Sequence, residues 1–280
     1  MKTIKKNLYA CMFSGGRTSA FMAKFIKEYE AFDNVIYIYL NTGKELEETL
    51  IFVNQCDKIF ELNLVWLEAK VNSQKGKGTI YKVVNFKTAS RKGEPFYDML
   101  KKFPLPNFAA SNCTRELKKR PIDAYLRQFK KQYKVFKLIG IRADEQHRKS
   151  LNAGPDKIIY PLCDIIKVDN NFIRSWWSKQ SFDLNLKDYQ NNCDLCFKKS
   201  LNKRLTIVKE NPKIADWWLD MENKFSTDKT PRFDLRTNIS IADLVSLSKR
   251  PFKKAVDLFE LSQNQIDLFE FETDCYCKSS

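Results

Sequence analysis

Six small and polar residues near the amino terminus form the segment with the clearest chemical potential. Ser14-Gly15-Gly16-Arg17-Thr18-Ser19 directly follows the apolar run Leu8–Phe13. Glycines let the main chain approach an anion closely, and the N–H groups that open a following helix point at it. The hydroxyls and the Arg17 guanidinium add further donors. The pattern predicts a phosphate-binding loop, and an ordinary strand–turn–helix junction is the alternative.

A second polar segment ends another apolar run, which starts at Val135. It reads Gly140-Ile141-Arg142-Ala143-Asp144-Glu145, with Arg148 three residues later. Two arginines suit the recognition of a phosphate or sulfate, and we expect Arg142 and Arg148 to clamp it. Asp144 and Glu145 are candidates to orient these arginines or to bind Mg²⁺. A solvated charged loop is the alternative interpretation.

A third polar segment, Asn41-Thr42-Gly43, follows the apolar run Val35–Leu40. Asn41 is expected either to cap the helix that comes next or to hydrogen-bond a nucleotide. In both roles the segment lies directly after a predicted strand, as the other two polar segments do.

Eight cysteines suggest sulfur or metal chemistry rather than a disulfide framework, because the chain is predicted to be intracellular. The spacing Cys193-Asp194-Leu195-Cys196 lets both sulfurs reach one ion. Cys113 lies among basic residues that are expected to lower its thiol pKa. Together the three cysteines would suit a [4Fe-4S] cluster with one open iron. The alternatives are a zinc site completed by Cys275 or Cys277, and simple buried thiols. The tail carrying those last two cysteines would supply a mobile nucleophile or ligand, or be unstructured.

The elements that position these segments alternate between strand and helix patterns. Continuous apolar runs predict strands that are buried on both faces of a parallel sheet, and the segments between them predict helices. We therefore expect an α/β fold, a doubly wound and mainly parallel sheet of Rossmann-like type with a helical carboxyl-terminal region. Such sheets bind ligands at the carboxyl ends of their strands. The predicted strands are Leu8–Phe13, Val35–Leu40, Leu62–Leu67, Val135–Ile141 and Lys157–Tyr160.

Two regions are expected along the chain. Residues 1–168 would form the nucleotide-binding α/β domain, with a loop-rich insertion at about 70–108 that is a candidate mobile lid. Residues 169–280 would form a helical region that contains four of the eight cysteines. On one rim of the sheet we expect Ser14–Ser19, Asn41–Gly43, Glu68 and Arg142.

Composition limits the class of protein. A hydrophobic content of 43% and 21 phenylalanines support a real core. The net charge of +15 favours anionic partners, either nucleic acid or a polyphosphate nucleotide. No apolar stretch approaches the ~20 residues of a membrane span, and the amino terminus lacks the cleavage site of a signal peptide. The expected location is the cytoplasm, with no membrane partner.

The polar segments, taken in order, resemble the phosphoadenylyl-sulfate (PAPS) reductase family within the adenine-nucleotide α-hydrolase-like superfamily of ATP pyrophosphatases. Ser14–Ser19 looks like that superfamily's pyrophosphate loop (PP-loop), usually Ser-Gly-Gly-Lys-Asp-Ser. The resemblance covers about residues 8 to 200. Within the family, the chain looks like a subgroup found in bacteria and their phages. Its other similar segments are Asn41-Thr42-Gly43 with Glu48-Thr49, Cys113-Thr114-Arg115-Glu116-Leu117-Lys118 with Pro121, Gly140–Glu145 with Arg148, and Tyr160-Pro161-Leu162 with Trp176.

The resemblance implies an enzyme that binds ATP, adenylyl sulfate or PAPS and acts as an oxidoreductase of sulfur metabolism or at the nucleotide α-phosphate. The tail segment Thr273-Asp274-Cys275-Tyr276-Cys277 departs from the family's Glu-Cys-Gly-x-His nucleophile. One alternative is an ATP-dependent enzyme that thiolates nucleic acid with a three-cysteine iron–sulfur cluster. Another is a non-catalytic nucleic-acid-binding protein with a zinc clip. A nucleic acid (tRNA or DNA) is accordingly a candidate partner and a homodimer a candidate assembly, in the host cytoplasm for a phage-encoded chain.

The expected site residues fall into three groups. The catalytic candidates are Arg17, Cys113 and Arg142. The metal candidates are Cys113, Cys193 and Cys196 for iron–sulfur or zinc, and Asp144 and Glu145 for Mg²⁺. The candidates for nucleotide and phosphate binding are Ser14, Gly15, Gly16, Arg17, Thr18, Ser19, Asn41, Thr42, Gly43, Gly140, Arg142 and Arg148.

Overall fold

A six-stranded, mostly parallel sheet lies at the centre of the computed structural model, which describes residues 5–74 and 76–257. The strand order is β4-β3-β2-β1-β5-β6, and every neighbouring pair is parallel except β3 and β4. The predicted α/β class and mainly parallel sheet are confirmed. The strands are β1 (Lys6–Phe13), β2 (Val35–Asn41), β3 (Val65–Lys70), β4 (Ile80–Val84), β5 (Tyr133–Ile139) and β6 (Ile158–Ile159).

Strand β1 lies between β2 and β5, and the direction in which the sheet grows reverses there. Tyr9 pairs with Val35 of β2 on one side and with Phe136 of β5 on the other. The segments that leave β1 and β5 adjoin at the carboxyl edge, where Arg142 donates a hydrogen bond to Thr18, and we call the region between them the crevice. In open α/β sheets this is the place where ligands bind.

Helices cover both faces of the sheet because consecutive strand residues point to opposite sides. Cys11 and Tyr39 pack on one face against α1 and α2, whereas Ala10 and Ile38 pack on the other against Leu126 of α4. The helices are α1 (Arg17–Glu28), α2 (Glu47–Ile59), α3 (Glu94–Leu100), α4 (Arg120–Leu126), α5 (Pro161–Asp164), α6 (Asn170–Trp177), α7 (Leu201–Glu210), α8 (Ile214–Phe225) and α9 (Ile241–Ser248), with a π-helix at Thr114–Lys119.

The carboxyl-terminal helices take part in two cores. Trp177 of α6 is buried against the sheet, and its Nε1 donates a hydrogen bond to the Arg17 carbonyl at 3.0 Å. A second core joins α7, α8 and α9 to Phe96 of α3 and Leu117 of the π-helix. The predicted division at residue 168 is thus crossed by continuous packing.

The segment expected to be a loop-rich insertion, residues 70–108, contains two regular elements. Strand β4 pairs antiparallel with β3 through the register Glu68↔Lys82, and α3 begins with Pro95 in its first turn. Strand β4 forms an edge of the sheet and is mostly exposed, although four of its five residues are apolar or aromatic. Its single lysine, Lys82, pairs with Glu68 of β3. Among the described residues, no helix is both long enough and apolar enough to cross a lipid bilayer.

Candidate functional site

The loop between β1 and α1 lies at the reversal of the strand order. Gly15 has a φ of +87°, and a Cβ there would come within 2.7 Å of Thr49 Cγ2, so the loop packs tightly on α2. Gly16 precedes the first residue of α1, where no side chain caps the helix, and a Cβ there would meet no atom within 4 Å. The open end of a twelve-residue helix therefore faces free space at Gly16.

The hydroxyl groups of this loop hold its shape. Ser19 Oγ donates to the Gly16 carbonyl at 2.9 Å and accepts from Ser14 N at 3.1 Å and from Ser14 Oγ at 2.9 Å. Thr18 instead faces across the crevice, where its Oγ1 accepts a hydrogen bond from Arg142 at 3.3 Å. Gly140, at the end of β5, lies against α1, because a Cβ there would be 3.4 Å from Ser19 Cα.

Arg17 has a different position from the one expected for a phosphate ligand. Its guanidinium is buried and donates in a fork to both carboxylate oxygens of Asp183, at 2.7 and 2.9 Å. It also donates to the carbonyls of Leu184 and Leu186. A bidentate pair of this kind is strong and directional, so Arg17 joins the loop to the segment that follows α6. We revise its role from phosphate ligand to anchor of the loop.

Arg142 and Arg148 lie with the two acidic residues that follow β5. Arg142 donates to Asp144 at 2.9 Å and lies 3.5 Å from Glu145. Arg148 donates to Glu145 as well. The carboxylates face guanidinium groups, and their binding of Mg²⁺ stays a prediction. The alternative in which they orient the arginines agrees with these contacts.

Asn41 is completely buried at the end of β2. Its amide donates to Glu68 at 2.6 Å and to the Ser90 carbonyl at 2.8 Å. Helix α2 begins at Glu47 with Leu46 before it, so the expected capping role of Asn41 is wrong. The loop after β2 bends at Gly43, where Asn41 Oδ1 accepts from the Gly43 amide at 3.2 Å. Asn41 thus shapes the rim without facing the crevice.

The cysteine segments meet at the carboxyl end of β2, next to the glycine loop. Cys193 Sγ lies 3.5 Å from Thr42 Oγ1, and Cys196 lies close enough to influence the titration of both Cys193 and Cys113. The Lys118 ammonium influences all three thiols and Glu45. The three cysteines that were grouped from spacing therefore share one neighbourhood around a lysine.

The π-helix explains why Lys118 faces these thiols. Its hydrogen bonds join residues five apart, as when the Arg120 N–H donates to the Arg115 carbonyl. Lys118 follows Cys113 by five residues and so lies one π-turn above it. In an α-helix the same spacing would turn the lysine to another side.

The pKa of the Cys113 thiol is raised to about 11, because burial outweighs the attraction of Lys198 and Lys118. The predicted lowering of the pKa is therefore wrong, because that prediction rested on the neighbouring charges and not on burial. Burial also raises the pKa of Cys193 well above its ordinary value, and Glu45 adds to the effect. Burial alone would lower the pKa of Lys118, but the anions around it raise it.

The described residues contain no preformed metal site at these cysteines. Within residues 5–74 and 76–257, no three histidine, cysteine, aspartate or glutamate side chains lie close enough together to hold one ion. Cys275 and Cys277, the candidates to complete a zinc site, are outside the described residues. We therefore derive no chemical step through a metal or a cluster.

A buried ion pair holds the Cys193–Cys196 segment to the rim. Lys44 Nζ lies 2.9 Å from Asp194 Oδ2, with the two side chains 8% and 9% exposed. Trp218 Nε1 donates to Asp194 at 2.7 Å, and the Trp217 ring covers the Lys44 ammonium at 4.5 Å from its centroid. Asp194 N also donates to the Lys44 carbonyl at 2.7 Å.

Two side chains of the site are not among the site residues expected from the sequence. Tyr39 lies within a buried strand and has the pattern of a core residue. Its hydroxyl is buried beside Glu45 and Cys193 and has no hydrogen-bond partner in the described part of the chain. Lys118 belongs to the segment Cys113–Lys118 that resembles the family, but as one of several basic residues there, and the π-helix places it near the thiols.

Fold and site define an α/β protein with a glycine loop and a cysteine cluster on one rim of the sheet. The chain is 32% identical to the uncharacterized nin region protein ORF290 of Escherichia phage lambda over 195 residues, which are 68% of this chain and 66% of that protein. It is 25% identical to the uncharacterized protein MJ0973 of Methanocaldococcus jannaschii over 230 residues, 78% of this chain and 48% of that protein. The chain thus spans less than two thirds of either relative. No family model matches it.

The Lys44–Asp194 pair predicts a large loss of stability on single replacement. Asp194→Asn should lower the free energy of unfolding by about 3–5 kcal/mol, because it leaves the Lys44 ammonium buried without a counter-charge. Urea denaturation measures the change. The exposed pair Lys101–Asp98 provides the control, since Asp98→Asn should change the value by less than about 1 kcal/mol. Equal small losses in both variants would contradict the anchoring role.

Burial of Cys113 predicts slow alkylation at neutral pH. With a pKa raised to about 11, its thiolate fraction at pH 8 should be about a hundredfold below that of an ordinary thiol. Iodoacetamide labelling of chelator-treated protein, followed by peptide mass spectrometry, measures the rate against glutathione. The rate should rise with pH until about 11, and Lys118→Met should slow it further because a stabilising cation is lost. Labelling of Cys113 as fast as glutathione at pH 7 would refute this assignment.

Proposed function

We propose that this chain is a PAPS reductase-like enzyme that binds an adenine nucleotide through the glycine loop and performs sulfur-related or α-phosphate chemistry at the adjoining cysteines. The observation that supports this best is the end of α1 at Gly16. It lies at the strand-order reversal, no side chain caps it, and open space lies above it. As part of this proposal, the sheet has the adenine-nucleotide α-hydrolase-like fold.

The phosphate groups would lie over the first turn of α1. Its amide groups and its dipole favour negative charge, and Gly16 lets the phosphates approach the backbone. Arg142, which also pairs with Asp144 and Glu145, donates to Thr18 across the crevice and brings a second group of N–H donors to the same place. When a nucleophile of the acceptor substrate forms a bond to the α-phosphorus, the bond to the pyrophosphate or sulfate group breaks and its electron pair passes to that leaving group. These donors stabilise the charge that develops there.

The sulfur chemistry would belong to Cys113, Cys193 and Cys196. Cys193 lies at the end of β2, the strand next to β1, and touches Thr42 of the loop that follows. A thiolate is the reactive form of cysteine. Lys118 is the cation that favours this form at all three residues, so it would assist whichever thiol loses its proton. The similarity to a phage lambda protein supports an intracellular setting in a bacterial host as part of this proposal.

Nucleotide binding by the purified chain tests the proposal. ATP, adenylyl sulfate and PAPS are titrated separately under anaerobic conditions by calorimetry. Pyrophosphate, sulfite and AMP or adenosine 3′,5′-bisphosphate are assayed after incubation with a dithiol reductant, which supplies the two electrons that sulfite formation requires. We expect at least one nucleotide to bind and its matching product to appear. A folded protein that binds none of the three would overturn the proposal.

Adjacent glycines provide a matched pair of variants for the same assay. Gly16→Ala should weaken nucleotide binding more than tenfold, about 1.4 kcal/mol, with the melting temperature almost unchanged, because its methyl group fills only the space above the helix end. Gly15→Ala should lower the stability itself by about 2 kcal/mol, because its φ is positive and Thr49 blocks the added Cβ. Arg142→Gln should resemble Gly16→Ala. Full affinity in Gly16→Ala would place the phosphates elsewhere.

A further inference from the structure

We propose that the surface beside the cysteine cluster binds a single-stranded nucleic acid. This surface, which we call the arginine–phenylalanine surface, consists of Phe103, Phe108, Arg115 and Arg236. The inference deepens the proposed function, since it names the macromolecular substrate class that would meet the same cysteines. It rests on that function for its chemical meaning, but the binding itself requires no nucleotide.

Two cation–π pairs form the surface. The Arg236 guanidinium carbon lies 4.3 Å above the centre of the Phe108 ring, and that of Arg115 lies 5.5 Å from the Phe103 ring. Both arginines are exposed and both rings are half-buried. Each pair therefore presents a flat cationic group to solvent on top of an aromatic ring. Successive bases stack on such groups.

The surface is joined directly to the cysteines. Phe108 packs edge-on against Phe197 at 5.6 Å between ring centres, and Phe197 follows Cys196 in the chain. Arg115 lies two residues after Cys113, in the π-helix, and donates to Asn112 at 3.0 Å. A base that stacks on either pair would come close to a thiol.

The charge around the cysteines is mainly positive. Arg115 and Arg236 are exposed, and the less exposed Lys118 and Lys198 lie close enough to influence Cys113. Two carboxylates of the same elements, Glu116 and Asp234, are buried and already neutralised: Glu116 pairs with Arg115 and Arg120, and Asp234 with Arg204. They leave little negative charge to repel a phosphate backbone, and the chain as a whole carries a net charge of +15.

The stacked geometry selects single strands. In a duplex the base faces are hidden and only phosphates reach a protein surface without groove insertion, so flat stacking groups add nothing. An unpaired strand offers both a base face and a phosphate to each pair. An acidic protein segment would meet the charges but would make no specific use of two stacked planes.

Fluorescence anisotropy of labelled oligonucleotides tests this inference. The probes are oligo(dT) and oligo(U) of about twelve nucleotides, which suit one small binding surface, a duplex of the same length, and an acidic peptide. All are titrated without nucleotide at low and moderate salt. The variants are Arg236→Gln and Phe108→Leu, of which the second keeps apolar volume if the ring is needed for folding. Lys134→Gln is the matched control, because exposed Lys134 also covers an aromatic ring, Phe136 at 5.0 Å, but at the amino end of β5.

We expect single strands to bind at least tenfold more tightly than the duplex or the peptide, and the affinity to fall as salt rises. Arg236→Gln and Phe108→Leu should each weaken single-strand binding about tenfold, whereas Lys134→Gln should change it less than twofold. The oligo(dT) and oligo(U) arms show whether DNA or RNA is preferred.

Absence of single-strand binding, equal binding of the duplex or peptide, or equal losses in all three variants would overturn the inference. Calorimetry with ATP on the same variants distinguishes this result from a loss of nucleotide binding, because the three substitutions should leave the ATP affinity unchanged.

Discussion

The parallel pairing of β1 with both β2 and β5 is the constraint on which the candidate site depends. Because all three strands run the same way, their carboxyl ends meet at one edge, and the segments that follow them meet there too. The reversal of strand order at β1 lies between the segments that follow β1 and β5, the position at which open α/β sheets bind ligands. Gly16 and Arg142 come from segments about 125 residues apart and face each other only through this arrangement.

A second link joins the cysteines to that edge. The Lys44–Asp194 pair connects the loop after β2 with the Cys193–Cys196 segment and is enclosed by two tryptophans of α8. A buried ion pair is costly to break and directional, so it fixes position more than it adds net stability. Through it the second core, built from the carboxyl-terminal helices, becomes part of the wall of the site. The raised thiol pKa values are the chemical consequence, because the same packing removes water from the sulfurs.

Local sequence predicted the features that depend on local physics. Apolar runs predicted all five parallel strands, and the carboxyl ends of these strands predicted the rim, because a strand buried on both faces has consecutive apolar residues. Strand β4 was missed because its run of five residues is short, is interrupted by Lys82 and lies within a segment of glycines, prolines and lysines. The role of Arg17 could not be predicted, because Asp183 lies 166 residues away in the chain. The predicted lowering of the Cys113 pKa was wrong for a related reason. Nearby lysines are visible in the sequence, whereas burial depends on distant elements.

The central claim is that nucleotide phosphates bind at the amino end of α1. Backbone amide chemical shifts of the isotope-labelled protein, followed by NMR during titration with ATP, adenylyl sulfate or PAPS, test it most directly because they report on each N–H group separately. The account predicts the largest shifts at Gly16, Arg17 and Thr18, together with the Arg142 guanidinium resonance. Saturable binding that leaves these four signals unchanged, with its shifts at another part of the chain, would contradict it.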